Sequence, residues 1–198
     1  ALIVGFTFSM AVTRYDQRKN LEEAEANAIG TEYLRADLLP DDLGARTRDL
    51  LRQYLAQRIA LYEETDGDIA QDINQRTAKL QNELWASVLP ATTRQPTPIV
   101  ALVVAGMNDV INSQGYTQAA WWNRIPAGAW ALMALMAISC NLLVGYGERR
   151  KGSLILFVLP TIMSIAFFLI ADLDSPRGGT IRVHPQNLRA TMQSLSPQ

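Results

Sequence analysis

Apolar and polar positions fall in blocks along this chain. The first twelve residues are apolar (ALIVGFTFSMAV), and at Thr13-Arg14-Tyr15-Asp16 the pattern turns charged. No proline interrupts the chain before Pro40, Gly5 and Gly30 are isolated, and Ala, Leu, Glu and Arg, all strong helix formers, dominate. The pattern predicts one helix, or two nearly coaxial ones, leaving a bilayer and continuing into water. Pro40 disfavours helical geometry at Leu39 and ends it. About 12 apolar residues fall short of the roughly 20 that cross a bilayer. Residues 1–12 therefore read as the C-terminal part of a transmembrane helix, the alternative being a short re-entrant or core segment.

Asp41-Asp42 suits the start of a second helix, where the dipole favours carboxylates. Its stripe of Leu43, Leu50, Leu51, Tyr54, Leu55, Ile59 and Tyr62 has helical period. Residues 63–68 read as a turn. A third helix is predicted to about Leu89, and the Pro- and Thr-rich run Pro90–Pro98 reads as a connector. The apolar run from Ile99 to Met107 is too short to span. It predicts a core helix packed on the first, running to Trp121-Trp122. Two charge-free blocks follow, Ala127–Val144 and Ser153–Ala171, each long enough to span, with a kink expected at Pro160. The turn between them, 145–152, carries Arg149-Arg150-Lys151. The tail from Thr180 reads as surface, or as ordered against the body.

The predicted fold class is all-α: a polytopic membrane protein with long helices extending into a helical extramembrane bundle. Residues 13–125 form that bundle, 126–174 the two transmembrane helices and 175–198 the C-terminal tail. Charge sharpens the division. The bundle region holds 12 Lys/Arg against 16 Asp/Glu, while the chain as a whole is at −1. Such a balance excludes the basic face that a nucleic acid needs. One cysteine and one histidine exclude an internal disulfide and a histidine cluster, and no cofactor or metal is expected. Nor does any nucleophile stand beside a base partner, so no enzyme is expected. Basic residues lie on both sides of the apolar blocks. Their summed counts favour a body on the cytoplasmic side of the membrane.

Candidate chemistry is sparse. Phe6, Met10 and Arg14 share one row at i, i+4, i+8. They line a narrow apolar neck with a basic entrance, or else Phe6 and Met10 face lipid and Arg14 pairs with Asp16 or reaches the headgroups. Glu23, Asn27 and Thr31 make a polar row, and Ala24, Ala28 and Ile29-Gly30 offer a face that lets another helix approach closely. Glu25 and Asn27 bind a partner or ion, or satisfy one another within the bundle. Asn141 is expected to face protein, Cys140 to be a packing residue and His184 to lie at the surface. Gly178-Gly179 is a turn.

The motifs at Gly5–Ser9 (GFTFS), Arg14–Asp16 (RYD) and Glu25–Pro40 (EANAIGTEYLRADLLP) resemble those of the bestrophin-like membrane proteins. Leu84-Trp85, Asn123–Pro126, Gly145–Gly147 and Asp172–Gly179 (DLDSPRGG) extend the resemblance over nearly the whole chain. It implies four spanning helices per complete subunit, a homo-oligomer in the lipid bilayer or a larger membrane complex, and a distant likeness to bestrophin anion channels. Chloride or another small anion would then be carried. The alternative is a structural or accessory subunit without transport. Glu25, Asn27, Gly30, Arg35, Asp37, Asp172, Asp174 and Arg177 are the motif residues whose work the sequence leaves open. Asp172 and Asp174 alone would not hold calcium, which takes about six to eight oxygens.

Overall fold

In the computed structural model, residues 2–94, 96–147 and 155–195 are described, the first two of the last stretch by backbone alone. With no breaker in its sequence, α1 (Leu2–Arg35) runs unbroken for 34 residues. It closes in a 3-10 turn at Ala36–Leu38, and Leu39 is extended ahead of Pro40, as a residue before proline must be. Pro40 then starts α2 (Asp41–Glu63), its carbonyl accepting from the N–H groups of Leu43 at 2.9 Å and Gly44 at 2.8 Å. The rest is helical too: α3 (Gly67–Arg94), α4 (Pro98–Trp122), α5 (Ala127–Gly147), α6 (Ile155–Asp174) and α7 (Gln186–Ser194). No strand occurs among the described residues.

The chain divides into two compact units, and α1 contributes to both. One unit holds residues 1–17 and 122–182; the other holds 18–121 and 183–198.

The larger unit is a helical body. Its core joins Ile29 of α1 with Leu51, Tyr54 and Leu55 of α2, Leu84 and Val88 of α3, and Val103, Met107 and Val110 of α4. Tyr62 meets Trp121 edge-on, with ring centroids 5.0 Å apart. The α2–α3 turn is held by carboxylates. Glu64 Oε1 accepts from the N–H groups of Thr65 and Asp66, and Asp66 Oδ1 accepts from that of Asp68 at the head of α3. One sequence expectation is corrected here. Pro90 does not end α3, which continues through it to Arg94. Beyond it Ala91 is buried, and Arg94 reaches Asp42 on α2 at 2.9 Å. Of the two readings of the tail, order against the body is the one seen: α7 docks there and buries Leu188 completely. Its partners Met192 and Leu195 complete an i, i+4, i+7 stripe.

The smaller unit carries the apolar helices. Among the described residues, two segments are long and apolar enough to cross a membrane, one within Pro98–Gly147 and the other Phe157–Asp174. Its core is small: Ala11, Ile125, Met133, Ile170 and Leu173. Leu135, Ile138, Leu142, Leu143, Phe157 and Phe168 stand exposed around it. So much apolar surface on one unit marks contact with lipid or with other protein. Asn141 is half-buried and satisfies its amide on its own helix, donating to the Ala137 carbonyl at 2.8 Å. The basic turn Arg149-Arg150-Lys151 and the predicted span start at Ser153 lie outside the described residues.

Gly44 fixes how α2 leaves the 3-10 turn. A Cβ there would stand 2.6 Å from the Ala36 carbonyl oxygen, and a backbone atom cannot swing aside. Gly44→Ala should destabilise the body by about 1–3 kcal/mol. Chemical denaturation of the detergent-solubilised protein measures this, with an unchanged midpoint as the contrary result.

Candidate functional site

In the smaller unit, α1 turns Thr7 and Ala11 inward and leaves Phe6 and Met10 exposed, at 65% and 43%. Arg14 departs from that row. Its partner is Asp174 at the end of α6, with Nη1 3.4 Å from Oδ1; Asp16 is exposed. The Asp174 carboxylate also accepts the N–H of Ile125 through both oxygens, at 3.0 and 3.1 Å. One acid thus joins α1, the entry to α5 and the end of α6.

Two residues earlier, Asp172 organises the chain after α6. It accepts from the N–H groups of Thr180 and Ile181 at 2.7 and 2.8 Å, and from the Thr180 hydroxyl at 3.0 Å. Gly179 makes this possible, since a Cβ there would lie 2.5 Å from the Asp172 carbonyl oxygen. Arg177 is half-buried in the same turn. Both aspartates of the Asp172–Gly179 run are therefore occupied by the chain itself. An apolar cavity of about 550 Å³ lies elsewhere in this unit, walled by Val4, Cys140, Asn141, Leu159, Ile162 and Met163. Phe6, Met10 and Arg14 do not line it.

In the body, α1 buries charge. Arg18, Glu22, Glu25, Ile29, Glu32 and Ala36 are all buried, and their alternating four- and three-residue intervals define one helix seam. Glu25 receives Arg58 of α2 on both oxygens, Nε to Oε1 and Nη2 to Oε2 at 3.3 Å, and the Thr117 hydroxyl of α4 at 3.2 Å. Burial opposes the charge of Arg58, but the Glu25 carboxylate outweighs it and raises its pKa. Burial, with Glu25 close by, raises the pKa of the Tyr54 and Tyr62 hydroxyls and keeps them protonated. Glu22 caps α7, accepting the Leu188 N–H at 2.9 Å and the Asn187 amide at 2.7 Å, where a helix start leaves N–H groups unpaired. Glu32 packs over Gly106 of α4 with Arg35 Nη1 3.8 Å away.

Glu25, singled out by the sequence, lies in this buried seam. The row of Glu23, Asn27 and Thr31 is exposed. Asn27 and Gly30 border a groove of about 370 Å³ with Thr31, Thr191 and Ser194. Gly30 does let a helix approach: a Cβ on it would come within 3.3 Å of Thr191 on α7. Asp37 pairs with Arg48 of α2. Glu22, Glu32 and Arg58 were missed. The alternating interval was the signal that could have found the two acids, but a seam of carboxylates does not look like a core.

A family profile described as "Bestrophin-like domain" matches residues 1–188. Among solved structures, the chain is similar to a bacterial bestrophin homologue from Klebsiella pneumoniae. The two share 14% identity at a TM-score of 0.67, over 98% of this chain and 80% of that one. No curated protein matches.

Arg58→Met would leave Glu25 buried and charged, and should cost about 3–5 kcal/mol. Replacing both residues by apolar ones of similar volume should recover most of it. A denaturation double-mutant cycle checks the coupling, and additive effects would contradict it.

Proposed function

Since the chain belongs to the bestrophin-like family, we propose that this membrane protein assembles as a homo-oligomer conducting small anions such as chloride. Residues at the start of α1 line the shared axis. Phe6 and Met10 form an apolar constriction that gates by dewetting, and Arg14 biases the entrance toward anions. The body lies on the cytoplasmic side of a bacterial inner membrane. What carries this reading is the exposure of Phe6 and Met10 on α1, a helix whose opposite side holds the core residue Ala11. Large apolar side chains on that face need lipid, a neighbouring subunit or a dewetted pore around them.

A second reading draws on the Arg14–Asp174 pair. A guanidinium held by a carboxylate projects little net charge. A structural or accessory subunit without a pore would need nothing more of Arg14 than this tie. The two readings part on flux.

The full protein in liposomes should pass chloride. Met10→Ala should raise conductance several-fold, and Arg14→Gln should lower anion-over-cation selectivity. Absence of flux from a well-folded oligomer would leave the accessory reading.

A further inference from the structure

Among the three seam carboxylates of the body, Glu22 and Glu25 are saturated with donors and Glu32 is not. Glu32 is fully buried, and neither of its oxygens has a hydrogen-bond partner. Its nearest base, Arg35, is 3.8 Å away and 28% exposed. The carboxyl occupies a slot that exists only because residue 106 is glycine: a Cβ there would lie 2.0 Å from Glu32 Oε2 and 2.3 Å from Arg35 Nη1. An ionised carboxylate without donors is poorly tolerated in such a place, whereas the neutral acid is far less costly.

We infer that Glu32 is a proton-binding site, and that its proton holds α4 against α1 at Gly106. With the proton bound, the neutral carboxyl lies in the glycine slot and the helices stay closed. Loss of the proton creates a buried charge, which is relieved when α4 lifts from Glu32 and water reaches it.

The surroundings agree with this. The charged groups acting on Glu32 are Arg35 on its own helix and Asp109 on α4. The charges that α2 brings to this end of α1 are engaged elsewhere, Arg48 with Asp37 and Arg52 over the Tyr33 ring. Burial raises the pKa of Glu32 to about 8 from 4.5; Arg35 works against that and Asp109 adds to it. The sign follows. The closed state holds its proton up to about pH 8 and the open state only to about 4.5. Closure is therefore strongest below 4.5, weakens as pH rises, and stops weakening once pH passes the closed-state value.

Hydrogen exchange of the full-length protein in detergent tests this, after correction for the intrinsic pH dependence of exchange. Protection of amides in residues 103–110 should fall about tenfold per pH unit between pH 5.5 and 7.5, then level off near pH 8. Amides of residues 50–55 in α2 should not follow. Glu32→Gln should flatten the profile. Asp109→Asn should move the levelling point to lower pH and Arg35→Gln to higher pH, which keeps the test alive if Glu32→Gln does not fold. A flat wild-type profile, an unchanged slope in Glu32→Gln, or equal loss of protection throughout the body would each overturn the inference.

Discussion

A carboxylate taken out of water must be met by donors, and in the body of this protein that requirement decides which helix lies where. Burying an ionised group without a partner costs far more than burying a methylene. Two acids on the α1 seam, Glu22 and Glu25, therefore act as addresses. Glu25 is answered by the Arg58 guanidinium from α2 and the Thr117 hydroxyl from α4. Glu22 is answered from α7 by the Leu188 N–H and the Asn187 side-chain amide. Apolar packing at Ile29, Leu51 and Met107 supplies the general drive to collapse. It is non-directional, and the acids supply direction.

The smaller unit uses the same device at the ends of its helices. Asp174 draws Arg14 and the Ile125 amide to the end of α6, and Asp172 folds the following turn back on itself. Such ties suit helix ends, where backbone groups lack intrahelical partners. Between these ends the surfaces of α5 and α6 are apolar and open, so their environment comes from outside the single chain.

Helix existence was legible in the sequence because unbroken strong helix formers and isolated breakers act locally. The 3-10 stop before Pro40 and the α2 stripe were legible for the same reason. Pro90 was misread because its penalty is local while the contacts made beyond it are not: Arg94 finds Asp42 some fifty residues away in sequence. The seam of α1 was harder still. Periodicity searches weigh hydrophobicity, and at Arg18, Glu22, Glu25 and Glu32 the buried side chains are charged. Arg58 of α2 could not be matched to Glu25 without the fold. The Phe6–Met10 row was visible as a row, but the diversion of Arg14 to Asp174 joins residues 160 positions apart.

The capping of α7 by Glu22 bears on how the chain is made. Synthesis delivers α1 well before α7, so Glu22 waits for the Leu188 N–H and the Asn187 side-chain amide while α2 to α6 are made. Until they arrive the early helix carries an unanswered acid on the side it must bury. A ribosome that stopped after α6 would release a chain unable to finish the packing of α1, a flaw that cellular quality control could recognise.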